Sequence, residues 1–372
     1  MPTTSTIIDG FINLNLLLAC AFAFWLLARF VLDVSGHRRA FALQLSLLNA
    51  LFLAVLIGPL LVLGYGLAVR QGVLAPNSAP NLSDFIVAQY LNGHITMRPS
   101  DFEWALSLRD LAVRGLLVPV TWAAYGVLAV LATGHLVVLA RLAVSAIRLR
   151  RIIGQSYRWR RFGRLHLCLT DATHVPFSTR GLRNHYIMIP TALLSDKAGL
   201  QMAIAHELQH MRQGDVTWEI GLEGLRLLFF WNPAFLLWKR SVDRLRELAC
   251  DQQLLARGRF DPAAYSDCLL RICRNGLRQR QLAIPSTVGM VQTATPIMGA
   301  DPIRFLCYRI TSVLAVRPPR HGRRFGLLLL GPLAAIIAFS AVALQHHGDW
   351  SHDRLMLSTI VNLERLRSNQ GY

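Results

Sequence analysis

The chain is short of charge, and the charge it has is lopsided. Only 16% of its 372 residues are Asp, Glu, Lys or Arg, against 53% apolar. That balance is too apolar for an ordinary soluble enzyme and points to several membrane spans. Acids are the scarcer sign, 21 against 39 basic residues, for a formal charge of +18. The excess does not indicate nucleic acid. Most arginines flank apolar segments or lie between them on one expected side, which is the positive-inside pattern, and no aromatic interleaving able to stack bases accompanies them. No Cys-x-x-Cys pair exists among Cys20, Cys168, Cys250, Cys268, Cys273 and Cys307, so neither a disulfide framework nor a cysteine zinc site is expected. No histidine occurs between His210 and His321, a gap that restricts how a metal can be held.

What is present is Ala205-His206-Glu207-Leu208-Gln209-His210, a His-Glu-x-x-His motif. On a helix, histidines four residues apart rise from one face about a turn apart. Two imidazoles so placed can bind one Zn²⁺, and the glutamate beside the first can act as general base. Met202, Ala203, Ile204 and Ala205 precede the motif, so the helix is expected to be buried, where unpaired histidines and a glutamate would be costly. Ser195 or Asp196 can cap its start and Gly214 its end.

Catalytic zinc takes three protein ligands and leaves one position open. A histidine six residues after His210 would complete one known arrangement, but that position is Val216. The third ligand is therefore expected to be a carboxylate, from Asp215, Glu219, Glu223, Asp243, Glu247 or Asp251. Asp215 follows the helix-ending glycine too closely to swing back, and suits fixing the loop or a histidine. Glu247 and Asp251 lie one turn apart in Arg244-Leu245-Arg246-Glu247-Leu248-Ala249-Cys250-Asp251, where Leu248 and Ala249 permit close packing on the metal helix. Glu247 is favoured as ligand and Asp251 as hydrogen-bond partner to a ligating histidine.

Around this site the apolar runs set a frame. Spans are expected over about Phe11–Leu32, Phe41–Val69 (with a kink at Gly58-Pro59), Leu116–Leu139 and Phe325–Leu344. Asn13, Asn15, Gln44 and Asn49 are expected to bridge helices, and His135 to serve at an interface. The first span has neither a basic start nor a small-residue cleavage site and reads as an uncleaved anchor. Arg38-Arg39, the run from Arg148 to Arg164, and Arg317, Arg320, Arg323 and Arg324 all assign the same side to the cytoplasm. The expected organisation is thus a three-helix transmembrane region at 1–145 with an outer loop at 70–114, a cytoplasmic domain at 146–324, a fourth span at 325–345 and a short outer tail at 346–372. N- and C-termini then lie outside. Within the cytoplasmic domain, Leu165–Leu169 alternates like a strand. Tyr186, Ile187, Met188 and Ile189 suit either an edge strand that holds an extended substrate or a supporting strand without that role. A turn-rich piece, Pro176–Gly181, lies between them. Leu227–Trp238, broken by Asn232-Pro233, is too short to span and reads as a buried helix pair or, preferably, an interfacial dip. Ala283–Ala300 reads as a mobile loop.

The combination of HELQH, Asp215, Trp231-Asn232-Pro233 and RELACD resembles the BlaR/MecR-type membrane sensor-transducer metallopeptidases over about residues 1–345. The resemblance implies a mainly α, polytopic membrane protein of four transmembrane helices, with a cytoplasmic α+β gluzincin-like domain between spans three and four, in a bacterial inner membrane. It implies one Zn²⁺ per chain held by His206, His210 and Glu247, with Glu207 as catalytic base. It implies a protein substrate: a cytoplasmic DNA-binding repressor, or the chain itself. Members of the type continue after the fourth span into a penicillin-binding domain, whereas only 27 residues follow Gln345 here. No lysine occurs after Lys239, so a Ser-x-x-Lys acylation sensor is excluded from this polypeptide. A sensor is then expected in the 70–114 loop, the tail, the spans or a separate protein. Two rivals to regulated cleavage are a quality-control protease similar to the HtpX type and a zinc-dependent scaffold that never cleaves.

Overall fold

The computed structural model describes residues 4–73, 82–105, 107–108, 122–181, 183–278, 288–289, 302–315, 322–343, 356 and 358–362. The chain divides into two compact units, one of Met1–Ala28, Asn49–Ala132 and Leu327–Tyr372, the other of Arg29–Leu48 and Thr133–Gly326. Helices dominate, with one small sheet.

Among the described residues, three helices contain stretches long and apolar enough to cross a membrane: α1 (Thr4–Val34), α2 (Phe41–Arg70) and α4 (Trp122–Gln155). A shorter helix, α3 (Leu82–Leu91), follows α2 within the expected outer loop. In the first unit, Leu17, Leu18, Ala21, Trp25 and Ala28 form a buried stripe along α1 at helical spacing. Gly58 of α2 is a close-approach point, where a Cβ would stand 2.9 Å from a Leu17 methyl and 3.4 Å from Ala341 Cβ. Small residues serve this purpose between apolar helices, where packing takes the place of the hydrophobic effect. Pro59 lies inside a helix that continues past it. Gln44 was expected to bridge helices, but it donates to the Arg38 carbonyl at 2.9 Å and closes the α1–α2 turn. The last long helix, α10 (Gly322–Ala343), has its apolar stretch at Leu330–Ala341. Residues 74–81 of the expected outer loop, the start of the third expected span and most of Ala283–Ala300 lie outside the described residues.

The second unit carries the sheet, in the order β1-β2-β4-β3-β5. Its strands are β1 (Tyr157–Phe162), β2 (Leu165–Thr170), β3 (Phe177–Arg180), β4 (His185–Pro190) and β5 (Val288–Gly289). Alternation along β2 and β4 decides what lies on each face. Leu167, Ile187 and Ile189 meet Leu200, Ile204, Leu208 and Met211 of α5 (Lys197–Gln213). Cys168, Met188 and Phe177 meet Leu149, Ile152 and Ile153 of α4. That second contact explains why α4 runs sixteen residues past Leu139, where the span was expected to end: its last turns keep an apolar i, i+3, i+4 stripe that the sheet covers.

Two local expectations are corrected. The Pro176–Gly181 piece contains a strand rather than a turn, because Ser178 and Thr179 are fully buried and pair in register with Ile187 and Tyr186. The segment of Tyr186, Ile187, Met188 and Ile189 is not an edge strand. β4 pairs with β2 in parallel and with β3 in antiparallel register, so both sides of its backbone are occupied and no further strand can add there. Basic β1 takes one sheet edge instead, with Tyr157 and Phe162 exposed.

The remaining helices are α6 (Asp215–Phe229), α7 (Pro233–Leu255), α8 (Pro262–Arg278) and α9 (Pro302–Leu314). Leu227–Trp238 forms the corner between α6 and α7. Asn232 caps α7 by accepting from Ala234 N at 2.9 Å, with Pro233 at the first helical position. Phe229, Phe235 and Trp238 are buried in this corner, and the Phe230 ring packs edge-on against His135 of α4 at 4.7 Å between centroids.

Candidate metal centre

Asp196 starts α5 by accepting from Gly199 N at 3.0 Å, and Gly214, at φ 76°, ends it in the left-handed region. His206, Glu207 and His210 are all fully buried on this helix. His206 Nε2 and His210 Nε2 face one another at 3.0 Å. Glu247, fully buried on α7, brings Oε2 to 3.6 Å from His206 Nε2 and Oε1 to 3.5 Å from His210 Nε2.

The other ring nitrogens define the tautomers. Asp215, at the start of α6, places Oδ2 2.7 Å from His210 Nδ1, so Nδ1 carries the proton and donates it. Tyr265 of α8 lies 2.8 Å from His206 Nδ1 and gives its own hydroxyl proton to Asp251 Oδ1 at 2.7 Å. Its oxygen is then the acceptor for His206 Nδ1–H. Both Nε2 lone pairs are left pointing at each other and at a carboxylate. Three acceptors converge, and a cation between them satisfies all three; this donor set suits zinc.

Cys250 is also near. One donor atom from each of His206, His210 and Cys250 lies within 4.8 Å of the others, a cluster able to hold a metal ion. The thiol, however, is 3.5 Å from Nδ1 of His206, the nitrogen engaged with Tyr265. Burial, reinforced by the surrounding carboxylates, pushes its pKa well above the ordinary thiol range.

Electrostatics around the centre are strong. Burial is the main cause that lowers the His206 pKa to about 4, so the ring is neutral near pH 7. Burial also pushes Glu247 upward, against the pull of Arg309 and His210. For Asp251, burial would raise the pKa, but the Arg309 guanidinium holds it below the ordinary carboxylate value. Arg309, on α9 and 2% exposed, makes two bonds of 2.8 Å to Asp251 and sets Nη1 3.0 Å from Glu247 Oε2.

The alternative carboxylates are placed elsewhere. Glu219, Glu223 and Asp243 surround Lys239 at 2.7, 3.2 and 3.4 Å. Arg246 lies 2.7 Å from Glu219 and 3.9 Å from Asp215. The structure therefore brings together His206, His210, Glu207, Glu247, Asp251 and Asp215 in one buried region, and sets residues 186–189 inside the sheet behind α5. Sequence reasoning missed Tyr265 and Arg309. Arg309 did leave a signal, since it shares a helical face with Leu306 and Val313, and a charge on an apolar face needs a buried partner. Tyr265, among Cys268, Leu269 and Ile272, is indistinguishable in sequence from a core aromatic.

A His-Glu-x-x-His helix with a carboxylate facing both imidazoles, in a chain with three apolar helices, marks a membrane protein with a site able to hold a metal ion. The family described as BlaR1 peptidase M56 matches residues 11–295, most of the chain, and the chain belongs to that family: it is a peptidase of the M56 type. No curated protein matches it.

Proposed function

We propose that the chain is an integral-membrane zinc endopeptidase whose site faces the cytoplasm and which cleaves a protein substrate in response to a signal. One observation carries the chemistry: the two Nε2 lone pairs, 3.0 Å apart, with Glu247 beyond both at 3.5 and 3.6 Å. His206, His210 and Glu247 would hold Zn²⁺, with Asp215 and the Tyr265–Asp251 pair orienting the imidazoles. Bound zinc supplies Lewis acidity at a scissile carbonyl and acidifies water. Glu207 takes the proton from the attacking water and delivers it to the leaving amine.

An extended substrate would pair with β3 by taking the place of β5, since β4 is held on both sides by β2 and β3. β3 lies on the far side of β4 from β2, and the chain's own Val288–Gly289 pairs with it at Phe177 and Ser178. That pairing supports the chain itself as a substrate, beside a DNA-binding repressor in the cytoplasm. Arginines at 38–39, 148–164 and 317–324 support four spans in a bacterial inner membrane, termini outside, with the helix corner at Phe230 dipping to the level of Gly134 and His135. The test is substrate trapping with Glu207→Gln in the full-length protein. One discrete partner, uncut and retained with zinc bound, is expected. Continued cleavage by the variant refutes the mechanism, a broad set of misfolded membrane proteins favours quality control, and zinc without cleavage by the wild type favours a scaffold.

A further inference from the structure

Arg309 uses its planar fork on two different carboxylates. Nε and Nη2 each lie 2.8 Å from an oxygen of Asp251, while Nη1 reaches Glu247 Oε2 at 3.0 Å. A fixed guanidinium plane makes this a rigid link, which a lysine ammonium cannot reproduce. The anchoring carboxylate is itself held by Tyr265, the partner of His206 Nδ1. Arg309 thus touches one proposed ligand directly and reaches another through two intervening residues, Asp251 and Tyr265.

The helix that carries it is seated by the α1–α2 turn. Arg39 of that turn donates to the Ala315 carbonyl at 3.2 Å, just past the end of α9, where a cation is favourable. Gln252, next to Asp251, donates to the Arg39 carbonyl at 3.0 Å. Phe41 packs edge-on against Tyr308 with ring centroids 6.4 Å apart. Arg39, Phe41, Asp251, Arg309 and Val313 line one small cleft, so the turn and the clamp share a wall.

We propose that Arg309 is a positioning residue that orients Glu247 in the metal centre, and that the α1–α2 turn sets the position of Arg309 through α9. The proposal rests on Glu247 being a ligand. It would let the first two membrane helices alter the centre without touching it, because a displaced α9 withdraws Nη1 from Glu247.

The test measures zinc affinity by chelator competition on the full-length protein in detergent, with cleavage kinetics alongside. Arg309→Met is expected to weaken zinc binding by about tenfold or more and to lower kcat more than KM, with Arg309→Lys between it and wild type. Because Arg309→Met leaves Asp251 buried and uncompensated, the double variant with Asp251→Asn provides a folded comparison, and it should remain weakened. Arg39→Met should weaken zinc binding a few-fold and add nothing in the Arg309→Met background. Wild-type affinity in the folded double variant overturns the positioning role. Additive losses, or no loss from Arg39→Met, remove the turn. Wild-type affinity in Glu247→Gln overturns instead the reading on which the proposal rests.

Discussion

Replacing Asp215 by Asn isolates the hydrogen bond that orients His210. The two side chains are 0% and 4% exposed, and the bond is 2.7 Å long. A bond to a charged acceptor is worth about 1.5–3 kcal/mol and a neutral one about 0.5–1.5, so losing the charge costs roughly 1–1.5 kcal/mol. The amide adds a second penalty. Turned the other way, its NH₂ donates to Nδ1 and moves the ring proton to Nε2, where the metal should be. Together these place the loss in zinc affinity within the ~10–100-fold range typical of such partners. The fold should tolerate the change, because Arg246 keeps Glu219 at 2.7 Å and loses only a neighbour at 3.9 Å. Chelator-competition titration gives the affinity, and thermal unfolding with chelator present checks the fold. Zinc affinity within about twofold of wild type, in a folded Asp215→Asn protein, would show that the Asp215–His210 bond does not support a metal ligand.

The competing third donors separate cleanly: Glu247→Ala should abolish zinc binding, whereas Cys250→Ala should leave it within a few-fold, and the opposite result would reassign the ligand. For pH, the unfolded chain protonates His206 near 6.5 while the folded protein, with zinc chelated, resists until about 4. The unfolded state therefore binds more protons between these values, so this contribution is complete above about 6.5 and falls by roughly 3 kcal/mol as the pH drops towards 4. Thermal unfolding of wild type and His206→Gln at several pH values should show the difference shrinking across that window; a constant difference rules it out. Lys239→Met removes the nearer cation from Glu223, which keeps Arg226 at 3.6 Å, and one of two from Glu219, which keeps Arg246 at 2.7 Å, and should cost about 1.5–3 kcal/mol by chemical denaturation. A loss below about 1 kcal/mol would mean that the network is locally rewired.

How much of the site could be read in sequence followed from the range of the interactions. His206 and His210 share a face because a helix repeats every 3.6 residues, and Asp215 is close enough in the chain for one turn to bring it to His210. Glu247 required a longer inference, by elimination across the interval without histidine, and the structure places its carboxylate opposite both imidazoles. Arg309 lies 58 residues beyond Asp251, where no local period points back to the site.

Sheet order was legible only in part. Alternation marks β2 and β4 as strands but carries no information about what pairs with them, so the edge role considered for residues 186–189 failed once β3 paired outside β4. Hydrophobic runs and capping residues are local, and they determined the three long apolar helices, the helix of His206 and His210 with Asp196 and Gly214 at its ends, and residue types able to hold a metal ion. Tertiary structure alone decided which strand lies at the sheet edge, which ring nitrogen carries each proton, and that an arginine seated against the α1–α2 turn reaches the proposed ligand Glu247. Those depend on pairing and packing between segments far apart in the chain, whose contacts no sequence period records.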